Sequence, residues 1–169
     1  MTRRKTPLAA LDKSALIASV MRTLEARHAA LAQAAEDTRK GAIHPENRAE
    51  GSKDMRATEQ SYIARGQAMR VEALDAELEA LRRFEPRAFG ADDPIAVGAL
   101  VHVVGDDFER TCLLLVGGAG VEVAAGSLTV TVVTGESPLG RALVGRVEGD
   151  DLELVVAGRR RELTVDAVA

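Results

Sequence analysis

Three acidic residues of this 169-residue chain recur at every fourth position, Glu46, Glu50 and Asp54, with Glu59 just after. Grouped carboxylates suit a hard cation such as Mg²⁺, which keeps several waters and takes only one or two carboxylates from a given protein. A Mg²⁺ so placed activates water for attack on a phosphodiester. One carboxylate can steady the ion while another accepts the water's proton. The plain alternative is a polar connecting loop whose acids favour a helix N-terminus. Arg39, Lys40, Arg48, Lys53, Arg56 and Arg65 surround these acids. They suit a phosphate backbone, or they are solvated partners of the carboxylates.

Other chemistry finds little support. The sequence holds no phosphate-binding glycine loop, no cysteine pair for zinc and no Gly-x-Ser-x-Gly elbow. Gly117, Gly118 and Gly120 form a glycine-rich stretch with no helix directly after it, which reads as a hairpin turn. His28, His44 and His102 are far apart and lack ligand spacing. The single cysteine, Cys112, cannot form an intramolecular disulfide and fits a reducing cytoplasm. Set in an alternating apolar segment, it reads as a small core residue rather than a nucleophile.

The elements that would carry the acids are helical. Ile17, Val20, Leu24, Leu31 and Ala34 follow a 3,4 spacing among strong helix formers. The pattern fades at 37–41, and Gly41 is the expected stop. Pro45 and Gly51 interrupt the polar stretch that follows. Periodicity returns with Ala64, Val71 and Leu78, interleaved with Gln67, Leu74 and Leu81, a heptad seam with one polar member. Two such helices joined by a loop make an antiparallel hairpin, each burying the other's stripe. The expected arm covers 1–85, with a tip loop at about 41–54. Two prolines and a glycine at 86–94 mark a linker.

Residues 95–169 are of strand type. Expected strands are Ile95–Val104, Phe108–Val116, Leu128–Val133, Asp151–Val156 and Arg161–Val168, and Val121–Ala124 reads as a short strand or a loop. One short helix intervenes, with Ser137 as N-cap and Pro138 at its first position. The fold class is therefore α+β: an N-terminal two-helix coiled-coil hairpin, then a small, mostly antiparallel β domain with one short helix.

Composition supports two thin units. Aromatics are 2% of the residues and Trp is absent, so the cores must rest on Ala, Leu and Val. No segment approaches the roughly 18 apolar residues of a membrane span, and the basic N-terminus lacks the apolar stretch of a secretion signal. The net charge of −4 hides a split. Residues 1–90 carry 16 Lys and Arg against 13 Asp and Glu, and residues 91–169 carry 6 against 13. The acidic second half is a poor candidate for direct nucleic-acid binding and suits a basic protein surface better.

The stretch Glu136-Ser137-Pro138-Leu139-Gly140-Arg141-Ala142-Leu143-Val144-Gly145, followed by Gly149-Asp150-Asp151-Leu152-Glu153-Leu154, closely resembles the C-terminal signature of the GreA/GreB transcription elongation factors. That pattern reads Ser-Pro-x-(Gly/Ala)-Arg-Ala-Leu-x-Gly, then Gly-Asp and a closing β hairpin. Hairpin arm, linker and β domain also follow the family's order. The resemblance implies an FKBP-like C-terminal domain over 95–169 that docks without isomerase activity. It would sit on the largest-subunit coiled coil of bacterial RNA polymerase, at the rim of the secondary channel. Ser137 and Pro138 match the docking motif, with Leu139 and Arg141 nearby.

The resemblance further implies that the arm enters the channel and brings its tip acids to the polymerase's Mg²⁺, near the 3′ end of the nascent RNA. The polymerase then hydrolyses the backtracked transcript. The factor would be no enzyme, would hold no metal stably alone, and is expected to be monomeric, cytoplasmic and free of membranes. The tip departs from the family's Gly-Asp-x-x-Glu-Asn-(Ala)-(Glu/Asp)-Tyr segment. Tyr62 aligns with the tyrosine, but the acids fall out of register, and anchoring on Gly51 puts Ser52 and Met55 in their places. The run Asp54-Met55-Arg56-Ala57-Thr58 is more similar to the acidic tip of DksA, which tunes initiation through the same channel. Glu50 and Asp54 are the best tip candidates, since four-residue spacing puts both on one face of a helix; Glu46 is the reserve.

The resemblance leaves open a channel-binding regulator that modulates or inhibits transcription without promoting cleavage. An FKBP-type prolyl isomerase is disfavoured, because such pockets are lined by aromatics and residues 95–169 hold only Phe108.

Overall fold

The structure, a computed structural model, describes residues 8–43 and 53–169. Two compact units emerge: Thr23–Glu79, and the chain up to Arg22 together with Ala80–Ala169.

Helix α1 spans Lys13–Ile43 and α2 spans Lys53–Arg82. Asp12 starts α1, its Oδ1 accepting from the backbone N–H of Ser14 at 2.9 Å and Ala15 at 3.2 Å; a side-chain acceptor there satisfies donors that have no partner within the helix. The expected stop at Gly41 does not occur, and α1 runs on to Ile43. Glycine weakens a helix interior by about 1 kcal/mol but keeps its N–H, so the helix formers before it carry α1 through.

Within Thr23–Glu79 the two helices are antiparallel and share a thin seam. Leu24 and Leu78 are buried, while Leu31, Val71 and Leu74 are half-buried. Ala34 and Ala64, both expected in the seam, are exposed. Thr38 is half-buried instead, continuing the seven-residue spacing Leu24, Leu31, Thr38, because a supercoiled seam follows the heptad rather than a three-residue step. Farther along, the seam becomes polar. Thr38 Oγ1 donates to Ala34 O at 2.8 Å and accepts from Gln67 Nε2 at 3.3 Å. Gln67 Oε1 is buried without a partner. His28 Nε2 lies 2.9 Å from Asp75 Oδ1, within ion-pair range but without hydrogen-bond geometry.

In the other unit, a single 3-10 turn, Leu8–Ala10, precedes α1. Strands follow at Leu100–Val104 (β1), Glu109–Leu114 (β2), Glu122–Ala125 (β3) and Leu128–Val133 (β4). Then come the short helix Pro138–Leu143 (α3) and strands Asp151–Val156 (β5) and Arg159–Val168 (β6). The sheet order is β3-β4-β2-β1-β6-β5. Every pairing is antiparallel except β2 with β4, which is parallel. The sheet is thus mixed rather than antiparallel throughout. β3 takes the edge and β4 returns between β3 and β2, which aligns β4 with β2.

One sheet face builds a core from Val101, Val103, Cys112, Leu114, Leu163 and Val165, and α3 adds Leu139 and Leu143 to it. On β1 the alternate residues Leu100 and His102 are buried as well, so both of its faces are covered. His102 Nδ1 lies 3.0 Å from Thr111 Oγ1 and its Nε2 lies 3.3 Å from Glu109 Oε1. The first strand begins at Leu100 rather than Ile95. Gly98 adopts φ 97 and its N–H donates to Leu114 O at 2.7 Å, which holds residues 96–99 in a turn. The expected linker contributes Phe89 to the core. Arg87 lies 3.8 Å and Lys13 4.8 Å over its ring centroid. Lys13 Nζ also donates to Arg87 O at 2.7 Å and Gly98 O at 2.9 Å. Partial burial, helped by the Arg87 charge, pushes the Lys13 amine down to about 8.

Candidate functional site

The best-defined site surrounds the start of α3. The chain leaves β4 at Val133 and must turn sharply to begin a helix at Pro138. Ser137 makes that turn. Its N–H donates to Thr134 O at 3.0 Å and its Oγ donates to the same carbonyl at 2.8 Å. The Oγ also accepts from the Gly140 N–H at 3.0 Å, capping the helix. Pro138 suits the first helical position because no partner for an N–H exists there. Gly140 is required sterically, since a Cβ would collide with the Thr134 carbonyl and crowd Ser137 Oγ. Ser, Pro and Gly in this order are therefore explained by one tight turn.

The turn forms one wall of a groove of about 590 Å³. Leu139, Leu154 and Val133 supply an apolar floor that is mostly buried. Pro138 stands on one side, with Phe108 and Val156 also lining the groove. Arg110, Arg159 and Arg161 line it too. No carboxylate does so among the described residues. Arg110 lies 5.1 Å and Arg161 5.4 Å over the Phe108 ring centroid. In the core, burial pushes the Cys112 thiol up to about 12, against a smaller opposing pull from Arg110, which leaves it protonated and unreactive.

The protein is similar to transcription elongation factor GreA of Ralstonia nicotianae, with 29% identity over 100 residues. The resemblance to the GreA/GreB factors stands. The match spans 59% of this chain and 60% of the Ralstonia relative. Among solved structures, the transcription factor Gfh1 is similar at a TM-score of 0.39 and 24% identity, covering 90% of this chain and 92% of that one. A GreA/GreB factor from Nitrosomonas europaea follows at a TM-score of 0.36 and 18% identity, covering 57% and 78%. No family model matches the chain.

In this GreA-like chain, Ser137, Pro138 and Leu139 converge on the groove. Arg141 does not line it; its guanidinium donates to Glu136 O and stays exposed. Phe108, Arg110, Leu154, Val156, Arg159 and Arg161 went unnoticed as site residues in the sequence. The available signal was cross-strand register. Leu154 faces Arg161 and Val156 faces Arg159 across the β5–β6 hairpin, which puts each pair on one side of the sheet.

Of the candidate acids, Glu46 and Glu50 lie outside the described residues, and Asp54 falls in the first turn of α2. Two of the nearby bases are engaged. Arg39 Nε lies 3.0 Å and Lys40 Nζ 3.5 Å from Glu36, and the hydrogen bond from Arg39 holds the Glu36 carboxyl below its usual range. Among the described residues no group of three His, Cys, Asp or Glu is placed to hold a metal ion. None of the described helices is long and apolar enough to cross a membrane.

Proposed function

We propose that this chain is a Gre-like transcription factor that docks on bacterial RNA polymerase at the rim of the secondary channel. The observation that carries the reading is the Ser137 turn, in which one cap, one proline and one obligatory glycine shape a wall of an open apolar groove. The partner on this reading is the coiled coil of the largest subunit. The hairpin enters the channel and its tip carboxylates, Glu50 and Asp54 with Glu46 in reserve, join the polymerase's Mg²⁺ near the RNA 3′ end. The metal acts there as Lewis acid and water activator. The factor acts in the cytoplasm as a monomer and holds no metal by itself, so the hydrolysis belongs to the polymerase.

Halted transcription complexes test this directly. Added protein should release short 3′ RNA fragments. The pair Glu50→Ala with Asp54→Ala should abolish release while leaving binding and melting temperature unchanged. Full release by that double variant would overturn the tip assignment.

The tip register favours a second reading, because Ser52 and Met55 occupy the positions of the family's acids when Gly51 is aligned. On this reading the chain occupies the channel and modulates or inhibits transcription without cleavage. Slowed elongation with no fragments would select it.

A further inference from the structure

The charge of residues 91–169 is distributed unevenly. This half holds 13 acidic residues and only 6 basic ones, yet Arg110, Arg159 and Arg161 all line the one groove. Arg110 and Arg159 make no ion pair among the described residues, while Arg161 Nη1 reaches Asp107 Oδ1 at 3.2 Å. A separate surface recess beside β5 and β6 shows the opposite sign, with Asp106, Asp151, Glu153 and Glu162 against Arg146. Net charge alone points to a basic partner. The local arrangement points the other way.

On its outer side Arg161 meets Asp107, and Asp106, Asp107 and Glu162 share a neighbouring recess with Arg159 and Arg161. Among the described residues no carboxylate lines the groove itself, where like-charged guanidiniums repel one another, a cost that a bound carboxylate removes. Arg110 and Arg161 are also steadied over Phe108. Such stacking limits their conformers, so less entropy is lost when their planar forks meet a carboxylate. The same groove has an apolar floor suited to an aliphatic side chain. A nucleic acid fits poorly. Single strands need exposed aromatic faces for stacking, whereas Phe108 is the groove's single aromatic residue and two guanidiniums lie over it.

Resting on the docking reading, we propose that the groove selects an acidic protein segment. The segment seats one aliphatic side chain against Leu139 and Leu154 and presents carboxylates to Arg110, Arg159 and Arg161. The docking element of the polymerase must then be acidic where it meets this domain.

The test uses the full chain and two labelled helical peptides, identical except that one carries glutamates and the other lysines around a central leucine. Fluorescence anisotropy should show the glutamate peptide binding at least about tenfold more tightly at low salt, with the preference shrinking as salt rises. Arg110→Glu with Arg159→Glu and Arg161→Glu should reverse the preference. Arg159→Glu alone, at an exposed position, should reduce it, and Arg159→Lys should largely restore it. Equal binding of both peptides, no binding of the glutamate peptide at millimolar concentration, or a stronger response to single-stranded RNA overturns the proposal. Purified polymerase supplies a separate arm. If wild type fails to bind polymerase, the docking reading falls while the peptide preference is judged by itself. If wild type and the triple variant bind polymerase equally, docking survives and the acidic-partner inference falls.

Discussion

The Ser137 turn and the far end of the hairpin seam hold polar groups in opposite ways. In the turn each polar atom has an assignment: Thr134 O accepts twice from Ser137, and Ser137 Oγ also receives the Gly140 N–H. In the seam, Gln67 leaves its Oε1 buried without a partner, and the apolar residues thin out between Leu24 and Thr38. Fully satisfied polar clusters fix one geometry, whereas a half-satisfied pair costs stability. The groove wall at Ser137 is built as a rigid template. The hairpin seam gives up stability at these positions.

Breaking the template should cost most. Gly140→Ala forces the Cβ against the Thr134 carbonyl, and an overpacked site of this kind loses about 1–3 kcal/mol; urea denaturation should show the drop, with docking lost alongside. Ser137→Ala removes two hydrogen bonds, one of them the helix cap, for about 1 kcal/mol. The seam should respond with the opposite sign. Thr38→Val combined with Gln67→Leu replaces an incomplete polar pair by apolar contact and should raise stability by about 1 kcal/mol, read as a higher melting temperature. A loss there would show that the polar pair is a net stabiliser and would close much of the contrast.

Two smaller effects probe the unit that contains the template. The Lys13 amine titrates near 8 when folded and higher when unfolded. Between those values the unfolded chain binds more protons, so stability should rise with pH from about 8 upward. Neutral amine still carries two hydrogens for the carbonyls of Arg87 and Gly98, so those bonds survive the titration. Lys13→Met should flatten that rise, as seen in chemical denaturation across the alkaline range. Cys112 should resist iodoacetamide at pH 8 in the native protein, because its thiol ionises only near 12, and it should react promptly in urea.

Local pattern carried much of this architecture. Leu128–Val133 and Asp151–Val156 match the expected strands residue for residue, because turn residues bound each run. The α3 cap was legible for the same reason, since Ser137, Pro138 and Gly140 act within one turn of chain. What escaped depends on distant partners. Ile95–Ala99 has strand composition but turns at Gly98, whose N–H is claimed by Leu114. Phe89 looked like linker and is core. The groove needed the pairing of Leu154 with Arg161, a relation between strands that no single segment displays. The net charge of the half hid three arginines gathered in one place.

The sheet order has a kinetic side. β1 pairs with β6, so Val101 must wait for Val168, and Leu100 exchanges both of its backbone hydrogen bonds with Ala169. β6 is an interior strand, flanked by β1 and β5, yet it follows all the other strands of the sheet in chain order. Until it arrives, β1 is an unprotected edge and the groove lacks the wall that carries Arg159 and Arg161. Such non-local pairing slows folding, so this half must reach its binding-competent form in one late closure, when β6 joins β1, rather than strand by strand.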